Sequence, residues 1–171
     1  MGYNTYKKLY DSCVCPILDY SSAVWGYSKF AAIDVIQNRA IRTFLGVHRF
    51  APKQGIEGDF GWVLSAYRRQ IEVARLWNRF IKMAPDRLTK DVFINDFYLA
   101  VSGYKNWCKN VWDILTAVEL EESFINLQTI DIQQLKVSLF EKQKREWLSL
   151  TLGKPKLRFY RIFKSVLEVE R

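Results

Sequence analysis

Apolar residues recur every three or four positions through most of this chain, which is the period of an amphipathic α-helix. One such set consists of Ile33, Ile36, Ala40 and Phe44. Gly46 and the apolar Val47 follow this set, in the order typical of a helix C-terminal cap. The pattern predicts a helix over about 30–45.

The most regular apolar stripe predicts a second helix over about 63–83, which ends before Pro85 because proline lacks the backbone N–H of a helix interior. Its positions are Leu64, Tyr67, Ile71, Ala74, Trp77 and Ile81. Similar spacing predicts shorter helices over about 88–101 and 105–118.

Capping residues predict one more long helix near the end of the chain. Asp131, with Gln134 three residues later, is typical of a helix N-terminus, and Gly153 and Pro155 are typical of its end. At the front of the chain, segments 3–15 and 20–25 form a helical pattern that should break or kink at Pro16.

No segment alternates apolar and polar residues over the length of a strand, and no hairpin signal occurs. The sequence therefore predicts an all-α fold, an irregular helical bundle. The best candidate for a domain boundary lies at 83–88, where Pro85 ends a helical pattern. The sequence therefore predicts one helical domain over 1–84 and a helical extension over 85–171.

Composition places the chain among globular proteins, because 49% of its 171 residues are hydrophobic. Apolar runs stay far below the ~20 residues that span a bilayer, so we expect no membrane segment, and we infer neither secretion nor a lipid anchor. Three cysteines, Cys13, Cys15 and Cys108, disfavour a disulfide framework. We expect an intracellular protein, nuclear or cytoplasmic.

Candidate catalytic groups are sparse, so the sequence predicts no enzyme, metal or cofactor. No Asp-Asp pair occurs, and the adjacent Glu121 and Glu122 would point about 100° apart on a helix. His48 is the only histidine and is expected in a loop. The glycines at positions 55, 58 and 61 fit no phosphate-binding motif and are expected in turns.

Charge is the strongest positive signal, since 26 basic residues face 18 acidic ones. Residues 1–85 hold 12 basic and 6 acidic residues, 86–131 hold 4 and 8, and 136–164 hold 9 and 2. Such alternation predicts two cationic surfaces, for which nucleic acid is a suitable partner.

On the 63–83 helix a basic ridge is predicted from Arg68, Arg75, Arg79 and Lys82. Glu72 interrupts this ridge, so an ordinary solvated face is the alternative interpretation. On the preceding helix, Arg39 and Arg42 are expected to project together away from the core, with Asn38 nearby.

A second cationic set lies near the C-terminus and consists of Lys154, Lys156, Arg158, Arg161 and Lys164. Three aromatic residues, Phe159, Tyr160 and Phe163, are interleaved with it. Aromatic rings beside cations can stack nucleic-acid bases. At helical spacing Phe159, Phe163 and Val166 are more often core residues, which would make this cationic set secondary to the arginines of the earlier helices.

Several short motifs occur in a recognisable order. Pro16, Leu18 and Tyr20 form Pro-x-Leu-x-Tyr, Val24 begins Val-Trp-Gly, and Gln37 begins Gln-x-Arg-Ala-x-Arg. The later pieces are GDFGW at 58–62, RLWNRF at 75–80 and PKLRFY at 155–160. Together they resemble the region after the catalytic palm in reverse transcriptases of non-LTR, LINE-type retrotransposons.

This resemblance implies a thumb, the helical element that grips the template–primer duplex behind the polymerase site, followed by a helical extension. The polymerase aspartates, the endonuclease and the Cys/His knuckle of the family have no counterpart here. We therefore expect a noncatalytic fragment of an RNA-directed DNA polymerase of a transposable element, which binds RNA/DNA or DNA duplex independently of sequence.

Two alternatives remain at the sequence level. One is a protein-interaction module whose aromatic grooves, near Trp107, Trp112 and Trp147, pack on the palm of a parent element. The other is a coding relic without function.

Overall fold

The computed structural model describes residues 1–165 and 167, and in that part of the chain all regular secondary structure is helical. The all-α prediction is confirmed. The helices are α1 Tyr3–Leu9, α2 Cys15–Leu18, α3 Ser22–Trp25, α4 Ala31–Leu45, α5 Lys53–Phe60, α6 Ser65–Ile81, α7 Leu88–Val101, α8 Trp107–Thr116, α9 Glu122–Ile125, α10 Ile132–Leu152 and α11 Tyr160–Phe163. The predicted extension runs to residue 171, so Val166 and 168–171 lie outside the described residues.

The predicted caps form as expected. Gly46 adopts a left-handed conformation with φ of 64° at the end of α4, and the N–H of Val47 donates to the carbonyl of Arg42 at 3.2 Å. At the start of α10, one carboxylate oxygen of Asp131 accepts from the N–H groups of Gln133 and Gln134, at 2.8 and 3.1 Å. Capping chemistry therefore sets these helix ends.

The helical path at the front of the chain continues through Pro16. Tyr10–Val14 forms a π-helical turn between α1 and α2, and the interruption comes only after Leu18. Pro16 lies in the first turn of α2, where a missing N–H costs no helical hydrogen bond. A break at Pro16 is therefore wrong, because the wider turn before the proline accommodates it, whereas a kink there stays a prediction.

Helix α5 corrects another prediction. Gly55 and Gly58 lie inside this helix, and only Gly61, with φ of 62°, ends it as a left-handed cap. A β-carbon on Gly58 would lie 2.7 Å from an atom of the Trp147 ring. Gly58 is therefore explained by close packing rather than by a turn.

The chain divides into two compact units, each built from separate stretches. The first unit comprises Met1–Tyr20, Phe30–Ser65 and Phe140–Arg171, and the second comprises Ser21–Lys29 and Ala66–Leu139. The sequence predicts a division between residues 84 and 85. Residues 66–139 belong to one unit, so no boundary between the units falls there.

The core of the first unit is aromatic. Phe60 and Trp62 are buried at its centre, with ring centroids 4.4 Å apart, and Tyr10 and Phe44 pack against them. The hydroxyl of Tyr6 donates to the carbonyl of Ala40 at 2.8 Å. These contacts join α1, α4 and α5.

Two buried glutamines of the first unit hold the extended link before α6. The Gln37 amide donates to the carbonyl of Val63 at 2.9 Å and accepts from the N–H of Ser65 at 2.8 Å. The Gln143 amide donates to the carbonyl of Trp62 at 2.8 Å and accepts from the N–H of Leu64 at 3.0 Å. The glutamine of the Gln-x-Arg-Ala-x-Arg motif is thus a structural residue here.

The core of the second unit centres on Trp77, whose ring packs against Phe93, Phe97 and Phe124. The indole N–H of Trp77 donates to the carbonyl of Gln128 at 2.8 Å. Cys108 is fully buried in this unit, and burial, followed by the neighbouring Asp96, raises the pKa of its thiol far above the ordinary value.

The Val-Trp-Gly segment also packs within the second unit. The guanidinium of Arg69, which is fully buried, lies 5.5 Å from the Trp25 ring centroid. A β-carbon on Gly26 would lie 2.7 Å from the β-carbon of Arg69. Only glycine fits at this close approach.

Candidate nucleic-acid interface

The two arginines predicted to project from α4 have different surroundings. Arg39 is exposed. Arg42 is half-buried, and its guanidinium donates to the carbonyl of Ala51 at 3.2 Å, which ties the loop before α5 to α4. Arg42 is therefore less available than Arg39, because its guanidinium is already bonded to a loop carbonyl.

The predicted ridge on α6 is exposed only in its later part. Arg75 and Arg79 are exposed on α6 and Lys82 just beyond it, whereas Arg68 is half-buried. Arg75 forms an ion pair with Glu72, one turn earlier. The predicted interruption of the ridge by Glu72 is therefore present in the structure.

The C-terminal cations divide in a similar way. Lys154, Lys156 and Arg158 are exposed, while Lys164 is buried. Arg161 is half-buried, and its guanidinium donates to the carbonyl of Leu152 at 3.1 Å. Three exposed cations therefore lie within five residues of sequence, and no acidic residue lies between them.

The aromatic residues interleaved with these cations are not in the core. Phe159 is 61% exposed and Phe163 is 81% exposed. The core prediction for these two residues is wrong because the segment packs through other side chains. Leu157 is buried instead, 3.7 Å from where a β-carbon on Gly55 would stand.

Tyr160 is the aromatic residue that fastens this segment to α5. Its hydroxyl lies 3.0 Å from the carbonyl oxygen of Gly55 and 2.8 Å from a carboxylate oxygen of Asp59. Trp147 packs against the same helix, and its indole N–H donates to the carbonyl of Gln54 at 2.7 Å. The segment 154–163 is therefore held on α5 while its phenylalanines face solvent.

The loop before α5 carries one more exposed aromatic residue, which the sequence patterns did not single out. Phe50 is 76% exposed, and the guanidinium of Arg49 lies 4.8 Å from its ring centroid. His48, expected in a loop, is exposed there. The sequence does carry a signal for this exposed ring. Arg49 and Phe50 stand between the helix cap at Gly46 and Pro52, and a loop this short cannot bury a phenylalanine within itself.

Two of the three tryptophans expected to form grooves line cavities in the second unit. Trp107 lines a cavity of about 650 Å³ together with Phe80, Val92 and Phe93. Trp112 lines a cavity of about 440 Å³ beside Phe97 and Ile125. Trp147 is buried in the first unit and lines neither cavity.

The net positive charge belongs mainly to the first unit. It holds 15 of the basic and 9 of the acidic residues, against 11 and 9 in the second unit. In 1–165 and 167, no group of three or more His, Cys, Asp or Glu residues is placed to hold a metal ion. Within the same residues, no helix has the length and apolar character needed to cross a membrane.

Comparisons with protein-family models, with curated proteins and with solved structures found no match to this chain.

Proposed function

We propose that this chain is a noncatalytic part of a non-LTR retrotransposon reverse transcriptase and grips nucleic-acid duplex through the phosphate backbone. The observation that carries the duplex-binding part of this proposal is the cationic segment 154–163, in which Lys154, Lys156 and Arg158 are exposed. The family part rests on the ordered motifs of the sequence. Exposed, positively charged side chains bind phosphates, and such contacts carry no sequence information. The proposed binding is therefore independent of sequence.

The structure changes which cations we expect to contribute most. Arg42, Arg68 and Arg161 are half-buried, and Arg75 pairs with Glu72, so these four have less freedom to reach a phosphate. Of the cations that the sequence analysis singled out for binding, those that are exposed are Arg39, Arg79, Lys82, Lys154, Lys156 and Arg158. We assign the larger share to the last three, since they lie together in one segment that lacks acidic residues.

Fluorescence anisotropy of a labelled duplex across a salt series tests this proposal. If about four phosphates are neutralised, log K should fall against log[salt] with a slope of roughly −3 to −4. A labelled duplex of unrelated sequence should give the same slope. Affinity that does not change with salt, or an absence of binding at low salt, would contradict the proposal.

A second candidate function, protein interaction, is favoured by one observation in the second unit. Val92 and Leu88 are exposed on α7 although Phe93 and Phe97 of the same helix are buried, and the 650 Å³ cavity opens beside Val92. A helix that is apolar on more than one side usually has a partner. Salt-independent binding to a polymerase palm, weakened by Val92→Asp, would favour this candidate.

A further inference from the structure

Three exposed phenylalanines of the first unit lie on the two segments that adjoin α5. Phe50 is in the loop that leads into this helix, and Phe159 and Phe163 are on the segment that Tyr160 and Leu157 hold against it. All three rings are therefore open to solvent on the same unit.

Two of these rings carry an arginine on one face. The guanidinium of Arg49 lies 4.8 Å from the Phe50 ring centroid, and that of Arg158 lies 4.5 Å from the Phe159 ring centroid. Each pair therefore offers a flat aromatic surface and a positive charge side by side. A nucleotide presents the complementary pair of groups, a flat base and a phosphate.

The segment that carries Phe159 and Phe163 is anchored by contacts that leave these rings outside. Leu157 is buried, the Tyr160 hydroxyl bonds to α5, and Arg161 donates to the carbonyl of Leu152. Because the backbone is held, stacking on the rings would order few additional torsions. A preorganised surface loses less entropy when it binds.

We propose that Phe50, Phe159 and Phe163, with Arg49 and Arg158, form a stacking platform for unpaired nucleotides adjoining a bound duplex. This inference rests on the proposed function and names the part of the nucleic acid that the first unit recognises. Single strands suit the platform because only unpaired bases have faces open to aromatic rings. The absence of acidic residues from 154–164 favours a polyanion over a neutral apolar partner.

The test compares two labelled duplexes of identical sequence, one blunt and one with an overhang of about ten unpaired nucleotides. We expect the full chain to bind the overhang duplex about tenfold more tightly, since base stacking on an aromatic ring contributes on the order of a factor of ten or more per base. The triple variant Phe50→Leu, Phe159→Leu, Phe163→Leu should lose this preference. Its affinity for the blunt duplex should stay within about twofold, because backbone contacts do not need the rings.

Leucine keeps the apolar character of each position and removes only the ring, so the variant separates stacking from other apolar binding. Tyr104→Leu, an exposed aromatic of the second unit, is the matched control and should keep the preference. Circular dichroism should confirm that all variants remain folded.

Either of two results would overturn the inference. One is that the triple variant keeps the overhang preference, and the other is that the unmodified chain shows no overhang preference. Ile162 is also exposed, so vesicles containing phosphatidylserine form a second arm. Vesicle binding that the triple variant retains, without an overhang preference, would assign the surface to membranes instead. Failure of the proposed function would give a different result from failure of this inference: the unmodified chain would not bind the blunt duplex.

Discussion

Gly55 and Gly58 stand three residues apart in α5 but meet different neighbours. A β-carbon at position 58 would lie 2.7 Å from the Trp147 ring, whereas one at 55 would make an ordinary 3.7 Å contact with Leu157. Gly58→Ala should lower the free energy of unfolding by about 1–3 kcal/mol through overpacking. Gly55→Ala should raise it by about 0.5–1 kcal/mol, since alanine is the better helix former.

Urea unfolding of both variants measures these changes. Equal effects of the two substitutions would contradict the packing of Trp147 against α5.

Glu57, on the same helix, makes stability depend on pH. Burial raises the pKa of its carboxyl above the ordinary 4.5, although the Lys53 ammonium 3.4 Å away opposes this shift. Above the raised pKa the buried carboxylate destabilises the folded state, and protonation relieves this as the pH falls. Glu57→Gln should therefore raise Tm at pH 7, with a gain that shrinks as the pH falls toward 4.5.

Thermal unfolding between pH 7 and about pH 4 checks this, with the exposed Glu122→Gln as control. A gain that grows on acidification would mean that the pKa of Glu57 is lowered in the folded protein.

At the scale of elements, the buried amides of Gln37 and Gln143 supply hydrogen-bond partners to the backbone of the link before α6, which has no regular secondary structure. Gln143→Leu would leave the carbonyl of Trp62 and the N–H of Leu64 without this partner. Each unsatisfied buried group costs about 1–3 kcal/mol, so we expect a clear loss of stability and faster hydrogen exchange at Leu64.

Gln133→Leu, at an exposed position of the same helix, is the matched control and should change neither quantity. Slow exchange at Leu64 in the Gln143→Leu variant would show that the amide does not hold the link.

Periodicity and capping predicted the long helices because those signals are local. The predicted 88–101 matches α7, and Asp131 and Gly46 cap their helices as expected. Helix α5 was missed, since Gly58 lies in its interior for a reason that is not local: the Tyr160 hydroxyl and the Trp147 ring, about 90 to 100 positions away in sequence, crowd it. The π-helical turn before Pro16 likewise has no local pattern that distinguishes it from a break.

The candidate site was predictable in its charges and less so in its geometry. Helical spacing suggested that Phe159 and Phe163 are core residues, yet Leu157 and Tyr160 make the anchoring contacts. Arg42 was expected to project beside Arg39, and its bond to a loop carbonyl was not predicted. Such assignments depend on contacts between distant segments, which residue spacing does not encode.

At the scale of the whole molecule, the excess of basic residues lies mainly in the first unit, and the proposed grip follows that distribution. Matched variants can separate the two sets of exposed cations. One replaces Lys154, Lys156 and Arg158 by Gln, and the other replaces Arg39, Arg79 and Lys82 by Gln. Both remove three charges, and glutamine preserves helix propensity.

The most direct test of the central claim is the salt dependence of duplex binding in the unmodified chain and these two variants. Loss of each phosphate contact flattens the slope of log K against log[salt] by about 0.9. We predict that the slope flattens to about −1 for the Lys154, Lys156 and Arg158 variant, and changes by only about one unit for the other. An unchanged slope in the first variant, with its fold intact by circular dichroism, would contradict the claim that this segment grips nucleic acid.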